Sequence, residues 1–594
     1  MIILWCADTD HLHTLSSCIA ANTSYVDQKK SFCYPGTRTQ ILTDVKEWAS
    51  NISEDTPRCL WLTGVPGAGK SSIAATIARD FKDLGSLWAQ FFISRSHNST
   101  TNPDNIFPSI ADQLAKKCPG AMHTIRDALE RQPSLVDSIS DAQVEMLFLK
   151  PIQVASDLSS SKTILVVIDA LDEYDRECHR IANIFSKAIA KLPPNAKVLV
   201  SSRPEEGIRA HFSPMLDAGD ATRIDLDTST PSSILDVAMF LREQIKEIVS
   251  TEGLEREWPG EEEMQGLCDK ASGLFIWAVT AAKFMWAQIV ANGSECLDGV
   301  LDELNTRGMG DINALYHTIL KRTYPDDDWA FERFRRIVGC IIVLQEPLYL
   351  VTLKDLLNLQ KPNTSRPADV KHFIRRLRTV LVVGTDEINN KTVPRLHKTF
   401  VKFITSEQAE RFRVNMVASN EELAVQCLRQ LNSLTRDMCG IEHFAAFNDD
   451  IQDLSARMDD YFPPELRYAC RFWSFHFPQE AKEKPSSRKK RRSAAGARAK
   501  RKRKEIDDGD TTYPTKCSRN RRGATGASIE IATEGVAVPA SSKLPDLFQD
   551  FLNQHLLHWM EAMSLFGDRT MILLLERATR WVNVRLSSFP CFQQ

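Results

Sequence analysis

The chain has 594 residues, 43% hydrophobic and 25% charged, which fits an ordinary globular protein and, at about 100–200 residues per domain, several domains instead of one. Its formal net charge of −3 hides an asymmetry: between Lys482 and Lys504 stand 13 Lys and Arg against one acid, leaving −15 for the rest, which excludes a uniformly basic nucleic-acid binder. The 14 cysteines are scattered with no C-x-x-C pair, which argues against a zinc framework or a small disulfide scaffold and for reduced thiols.

The N-terminus, "MIILWCADTDHLH", lacks a basic start and carries Asp8 early, so it makes a poor signal peptide. Residues 1–32 read as a short N-terminal segment. "YPGTRTQILTDVKEWASNI" then predicts a turn at Pro35-Gly36 and an amphipathic helix with Ile41, Leu42, Val45 and Trp48 on one face. Residues 33–228 alternate in type. Strand "CLWLTG" feeds a glycine loop and helix "KSSIAATIARDFKDLG". Strands "LWAQFFIS", "ILVVID", "AKVLVSS" and "ATRIDLD" follow, separated by helical stretches. Apolar strands alternating with helices predict an α/β core, a parallel sheet with helices on both faces, whose ligands bind at the carboxyl ends of the strands.

Residues 229–325 read as a helical domain. Pro259 and Glu261–Glu263 suit a helix start, where acids favour the positive end of the helix dipole. The apolar run Gly273 to Gly293 approaches spanning length, but Lys283 at its middle favours a buried helix of a soluble bundle over a membrane span. Residues 326–406 offer three helices and a hairpin, "VLVVGTDEINNKTVPRLH", with its turn at Asn389-Asn390: a winged-helix pattern. Residues 407–478 are helical and rich in aromatics, residues 479–543 form a basic insert without apolar periodicity that reads as disordered, and a helical C-terminal region covers 544–594. No internal repeat is present.

The chemistry centres on "LWLTGVPGAGKSS". Gly64, Gly67, Gly69, Lys70 and Ser71 satisfy G-x-x-x-x-G-K-S between a strand and a helix, the context in which backbone N–H groups cradle phosphates. Gly64, Val65, Pro66, Gly67, Ala68, Gly69, Lys70, Ser71 and Ser72 are therefore the expected nucleotide-binding stretch. Lys70 would reach the β- and γ-phosphates and the Ser71 hydroxyl a Mg²⁺ ion. Asp169, ending the apolar strand "ILVVID", would hold Mg²⁺ through water. Asp172 and Glu173 are candidates to orient an attacking water; the alternative is that either caps the next helix or pairs with Arg180. Arg203, ending the strand after Asp169, could read a γ-phosphate or be a surface arginine beside a proline turn.

"WLTGVPGAGKSSIA", "ILVVIDALDEYD" and "VLVSSRPE", in this order and spacing, resemble the NACHT class of STAND P-loop NTPases. "CYPGTRTQIL", "WPGEEEMQGLCDKASGLFIWAVTAAKF", "VPRLHKTFVKFI" and "LRYACRFWSFHF" resemble flanking segments of its fungal branch, the one associated with WD repeats and a nephrocystin-3-like N-terminal NACHT. The resemblance implies a molecular switch that holds ADP when closed, exchanges it for ATP with Mg²⁺, hydrolyses slowly and self-associates on activation, in fungal signalling or a self/non-self response. It assigns Gly64–Ser72 to phosphate, Asp169 to Mg²⁺, Asp172 and Glu173 to hydrolysis and Arg203 to γ-phosphate sensing. It also suggests that His397 latches the ADP β-phosphate; a histidine packed behind the wing is the alternative. The chain departs from the pattern at Gly273-Leu274-Phe275, where relatives often have Gly-Leu-Pro, and it is expected to contain neither an effector domain nor the WD repeats.

The basic stretch Arg488 to Lys504 reads as a bipartite nuclear import signal, a phosphate-binding tail, a solvated insert or an unspliced stretch of the gene. Cytoplasmic placement is expected, with nuclear entry through this insert. Adenine is the expected base, with guanine open. A catalytically inactive interaction scaffold of the same fold is the alternative function. A small-molecule kinase and a DNA reader using Arg375, Arg376 and Arg378 of the winged helix fit less well, and no membrane or nucleic-acid partner is expected.

Overall fold

In the computed structural model of the chain the described residues are Leu15, 18–94, 98–254, 258–306, 311–324, 327–346, 348–357, Phe373, 396–441, Asn448, 451–477, 543–568 and 570–587. The N-terminal part is built on five parallel strands: β1 (Cys59–Gly64), β2 (Leu87–Phe92), β3 (Ile164–Asp169), β4 (Ala196–Ser202) and β5 (Ala221–Leu226). Their spatial order is β2-β3-β4-β1-β5. Successive side chains of a strand point to opposite faces. Cys59, Trp61, Val166, Ile168, Val198 and Val200 accordingly pack on one face with Phe107, Phe148 and Phe185. Leu60, Leu62, Leu165, Val167 and Leu199 pack on the other, against helices α1 (Thr39–Ser50) and α2 (Lys70–Asp83). Because both faces are covered, the inner strands carry apolar runs without polar alternation. Ala74, Ala75 and Ala78 on α2 are buried and small, which lets that helix lie close on the sheet.

Strand β4 lies between β1 and β3, and this decides the layout of the sheet's carboxyl edge. The register Ile168↔Val200 brings Asp169 beside Ser201, and Thr63↔Ser202 brings Arg203 beside the glycine loop.

The helices that follow share one continuous core running from Val237 to Trp581. Helix α3 (Pro231–Glu252) starts with the Thr230 hydroxyl accepting the Ser233 N–H at 3.3 Å. Glu261–Glu263 occupy the first turn of helix Glu261–Ala271, as expected. Left-handed Ser272 and Gly273 end that helix, and α4 (Phe275–Asn292) begins. Trp277, Ala281, Phe284 and Met285 of α4 are buried, and among the described residues no helix is long and apolar enough to cross a membrane. Helices Leu297–Thr306, Ile312–Thr323, Asp328–Val343 and Leu350–Leu356 continue the bundle. The expected third helix and hairpin of the winged-helix pattern lie outside the described residues, apart from Phe373, Leu396 and His397. His397 leads into the short helix α5 (Lys398–Ile404).

Most of the basic insert also lies outside the described residues, but both of its flanks are described. They pack on each other. Trp473 meets Phe548 and Trp559 with ring centroids 5.8 Å apart in each case, and Phe477 meets Trp581 at 4.7 Å. The Trp559 indole donates to the Cys470 carbonyl at 2.9 Å, so this large ring is buried with its polar atom satisfied.

Candidate nucleotide site

The glycine loop follows β1 and turns through left-handed backbone at Gly67 and Gly69, with φ of +84° and +99°. Side chains rarely adopt this conformation, so glycine is required at both. Gly67 also touches the helical bundle. A Cβ there would stand 2.8 Å from Ile276 Cβ, and the Ile276 N–H donates to the Gly67 carbonyl at 3.3 Å. The Gly273-Leu274-Phe275 turn, where the sequence departs from the family pattern, therefore lands α4 on the loop.

Lys70, the first residue of α2, folds back over this loop. Its ammonium donates to the Gly64 carbonyl at 2.7 Å and the Val65 carbonyl at 3.0 Å. Burial pushes its pKa down to about 8; Asp172 and Asp169 oppose that shift, and Lys398 and Arg203 add to it. Ser71 and Ser72 follow in the first turn of α2.

Three acids line the carboxyl end of β3, one strand beyond β4, and a cation meets each one. Asp169, fully buried at the end of β3, accepts a hydrogen bond from the Ser201 hydroxyl and lies 3.3 Å from the ammonium of Lys30. Asp172, 3% exposed, accepts from the Arg203 backbone N–H at 3.0 Å and from Arg203 Nε at 2.6 Å. Burial alone would raise its pKa, but Lys398 and Arg203 outweigh burial and hold it below the usual carboxylate range. Glu173 Oε1 lies 2.5 Å from the Lys398 ammonium, which is also 3.8 Å from Asp172 Oδ2.

Two alternatives weighed from the sequence do not occur. Asp172 pairs with Arg203, while Arg180 reaches Glu177 at 3.5 Å and the Ile139 carbonyl at 3.1 Å. The helix Cys178–Ile189 has Glu177 at its N-cap, so neither Asp172 nor Glu173 caps it. Arg203 is also not a free surface arginine: besides Asp172, it holds Glu205 at 2.9 Å.

His397 sits at the N-cap of α5. Its Nδ1 accepts the Thr399 N–H at 3.3 Å and lies 2.7 Å from the Thr399 hydroxyl, which in turn touches the Tyr316 hydroxyl at 2.6 Å. Burial first, then Lys398, Lys283, Lys30 and Lys70, push its pKa down to about 4, so its imidazole is neutral at pH 7. The lysine of the glycine loop thus acts on a histidine more than 300 positions along the chain.

The residues present fit a polyphosphate with a hard divalent cation. Glycine-permitted turns open the loop backbone to an anion, and the Ser71 hydroxyl and buried Asp169 carboxylate are hard oxygen donors. Lys30, Ser201 and Lys398 were not among the residues expected from sequence. Ser201 left a signal, the first of two serines closing a largely apolar strand; the two lysines left none.

Residues 36–203, from the turn before α1 through Arg203, match the family described as "Nephrocystin 3, N-terminal". The chain is also 21% identical over 467 residues to the vegetative incompatibility protein HET-E-1 of Podospora anserina, a match covering 75% of this chain and 32% of that protein. The chain thus spans about a third of the length of the curated relative it matches. The two matches support a likeness to NACHT-like STAND proteins at the level of the α/β core and the helices after it.

Proposed function

We propose that this chain is a nucleotide-operated switch of the NACHT type, binding ATP or ADP with Mg²⁺ and hydrolysing ATP slowly. The observation that carries the reading is the carboxyl edge of the sheet, where the glycine loop and its lysine after β1, two buried acids after β3 and the arginine after β4 meet from three adjacent strands. Gly64 to Ser72 would hold the phosphates, with Lys70 leaving the Gly64 and Val65 carbonyls for phosphate oxygens. Ser71 and Asp169 would hold Mg²⁺, whose charge offsets that of the phosphates. Arg203 would exchange Asp172 for a γ-phosphate, since its planar fork fits either anion. His397, neutral and hydrogen-bonded through Nδ1, would offer Nε2–H to a diphosphate.

Residues 33–228 act as the NTPase core, 229–325 as a helical domain, 326–406 as a winged helix and the remainder as helical regions around a basic insert. The likeness to a vegetative incompatibility protein supports a role in fungal self/non-self signalling, with self-association of the ATP-bound form. Titration of the purified chain with ADP and with ATP, with and without Mg²⁺, tests this reading. Saturable binding that Lys70→Ala abolishes supports it, and equal binding by the variant contradicts it.

A non-catalytic scaffold is the second reading. It is favoured by the ion pairs on both acids proposed for hydrolysis. Turnover of Asp172→Ala equal to that of wild type would favour the scaffold.

A further inference from the structure

The ammonium of Lys398 is held by the acids that follow β3. It lies 2.5 Å from Glu173 Oε1 and 3.8 Å from Asp172 Oδ2, although it belongs to α5, 225 positions after Glu173 in the chain. Glu173 is 9% exposed and Asp172 3%, so both carboxylates meet this cation largely out of water, where a charge pair is stronger than at the surface. Lys398 itself is 37% exposed and reaches inward from the surface of the helical bundle. The helix it starts is anchored on the other side. Phe400, Phe403 and Ile404 are buried in the bundle core, and Tyr316 stacks edge-on against Phe400 at 5.1 Å. A rigid element of the bundle thus presents one charged side chain to the catalytic edge of the sheet.

We infer that Lys398 is an inhibitory pin: docked on Glu173 beside the Arg203-held Asp172, it keeps the Glu173 carboxylate from water while tying α5 to the NTPase core. The inference rests on the reading of this edge as a nucleotide site. In the reaction it would restrain, a water oxygen bonds to the γ-phosphorus as its proton passes to a carboxylate. The β–γ bridging P–O bond breaks and its electron pair leaves on the diphosphate. With the Lys398 ammonium on Oε1, Glu173 has that oxygen's lone pair engaged and does not accept the proton until Lys398 withdraws. Withdrawal of Lys398 also frees α5 from the core, so release of Glu173 and loosening of the bundle are one event.

The test compares wild type, Lys398→Met and Lys398→Arg in the full chain, with ADP affinity measured first. If wild type binds no ADP, the nucleotide reading itself fails. With ADP binding intact, Lys398→Met is expected to hydrolyse ATP roughly tenfold faster, within the range of ordinary coupling between sites, while Lys398→Arg stays near the wild-type rate. A second readout does not depend on turnover. Backbone hydrogen exchange across 398–404 should rise in Lys398→Met and in Glu173→Gln, with no further rise in the double variant, because both remove the same pair. Unchanged hydrolysis in Lys398→Met, or additive exchange in the double variant, would overturn the pin while leaving the nucleotide reading intact.

Discussion

Lys30 Nζ stands 3.3 Å from Asp169 Oδ2, so a lysine upstream of the family-matched residues supplies the charge partner of a fully buried carboxylate. Removing one partner of such a pair leaves a buried charge uncompensated, whereas removing both costs less. Lys30→Ala is therefore expected to destabilise the chain by roughly 1–3 kcal/mol in urea denaturation. Asp169→Asn in the same background should recover much of that loss. Equal midpoints for wild type and Lys30→Ala would show that the pair carries no stability.

Lys70 gives a pH signature. With its pKa near 8 in the free chain, it carries its full charge below that pH and loses it above. Phosphate binding stabilises the charged form, so binding above pH 8 must take up a proton. ADP affinity should fall with rising pH from about 8 upward, by up to about tenfold per unit, and calorimetry in two buffers should detect the proton. In Lys70→Met this dependence should vanish along with most of the affinity.

His397 titrates in the opposite sense. Its folded pKa lies near 4, below the ordinary value of 6.5, so the unfolded chain binds the extra proton first as pH falls. Its contribution to stability is whole above pH 6.5 and declines as pH drops toward 4. His397→Gln should flatten the stability profile in that window. Its imidazole resonances should not shift between pH 5.5 and 8; a titration near pH 6.5 would refute this environment.

Gly67→Ala tests the docking of α4 on the glycine loop. The added methyl meets Ile276, and the backbone there has φ of +84°. A loss of roughly 1–3 kcal/mol is expected, mixing backbone strain with overpacking. The double variant with Ile276→Ala should relieve the contact but not the strain, and so recover only part of the loss.

Much of the core was legible in the sequence because it is written locally. Strands β1 and β3 coincide with apolar runs, and the glycine loop falls between β1 and α2 as its motif requires. What was not legible depends on contacts across the chain. The position of β4 between β1 and β3 leaves no local pattern, yet it sets Ser201 against Asp169 and Arg203 against Asp172. The sequence suggested Arg180 as a partner for Asp172 because it is near in the chain, whereas strand order brings Arg203 closer in space. Lys30 and Lys398 look like ordinary surface lysines, since nothing in their neighbours reports the carboxylates they reach. The aromatic packing of Trp473 and Phe477 on Phe548 and Trp581 likewise joins segments separated by the basic insert.

That packing predicts a deletion outcome. Because the flanks of the insert already touch, replacing residues 480–541 by a short glycine-serine linker should leave the melting temperature nearly unchanged, loop length entering stability only logarithmically. Trp473→Ala, by contrast, should cost roughly 3–5 kcal/mol through the cavity it opens.

In the proposed switch the carboxyl edge of the sheet holds a nucleotide through Lys70. The most direct test is the nucleotide content of the purified chain, released by denaturation and quantified by chromatography. Adenine nucleotide should approach one per chain in wild type and be scarce in Lys70→Ala of equal thermal stability. Equal content in the two proteins, or none in either even after incubation with ADP and Mg²⁺, would contradict it.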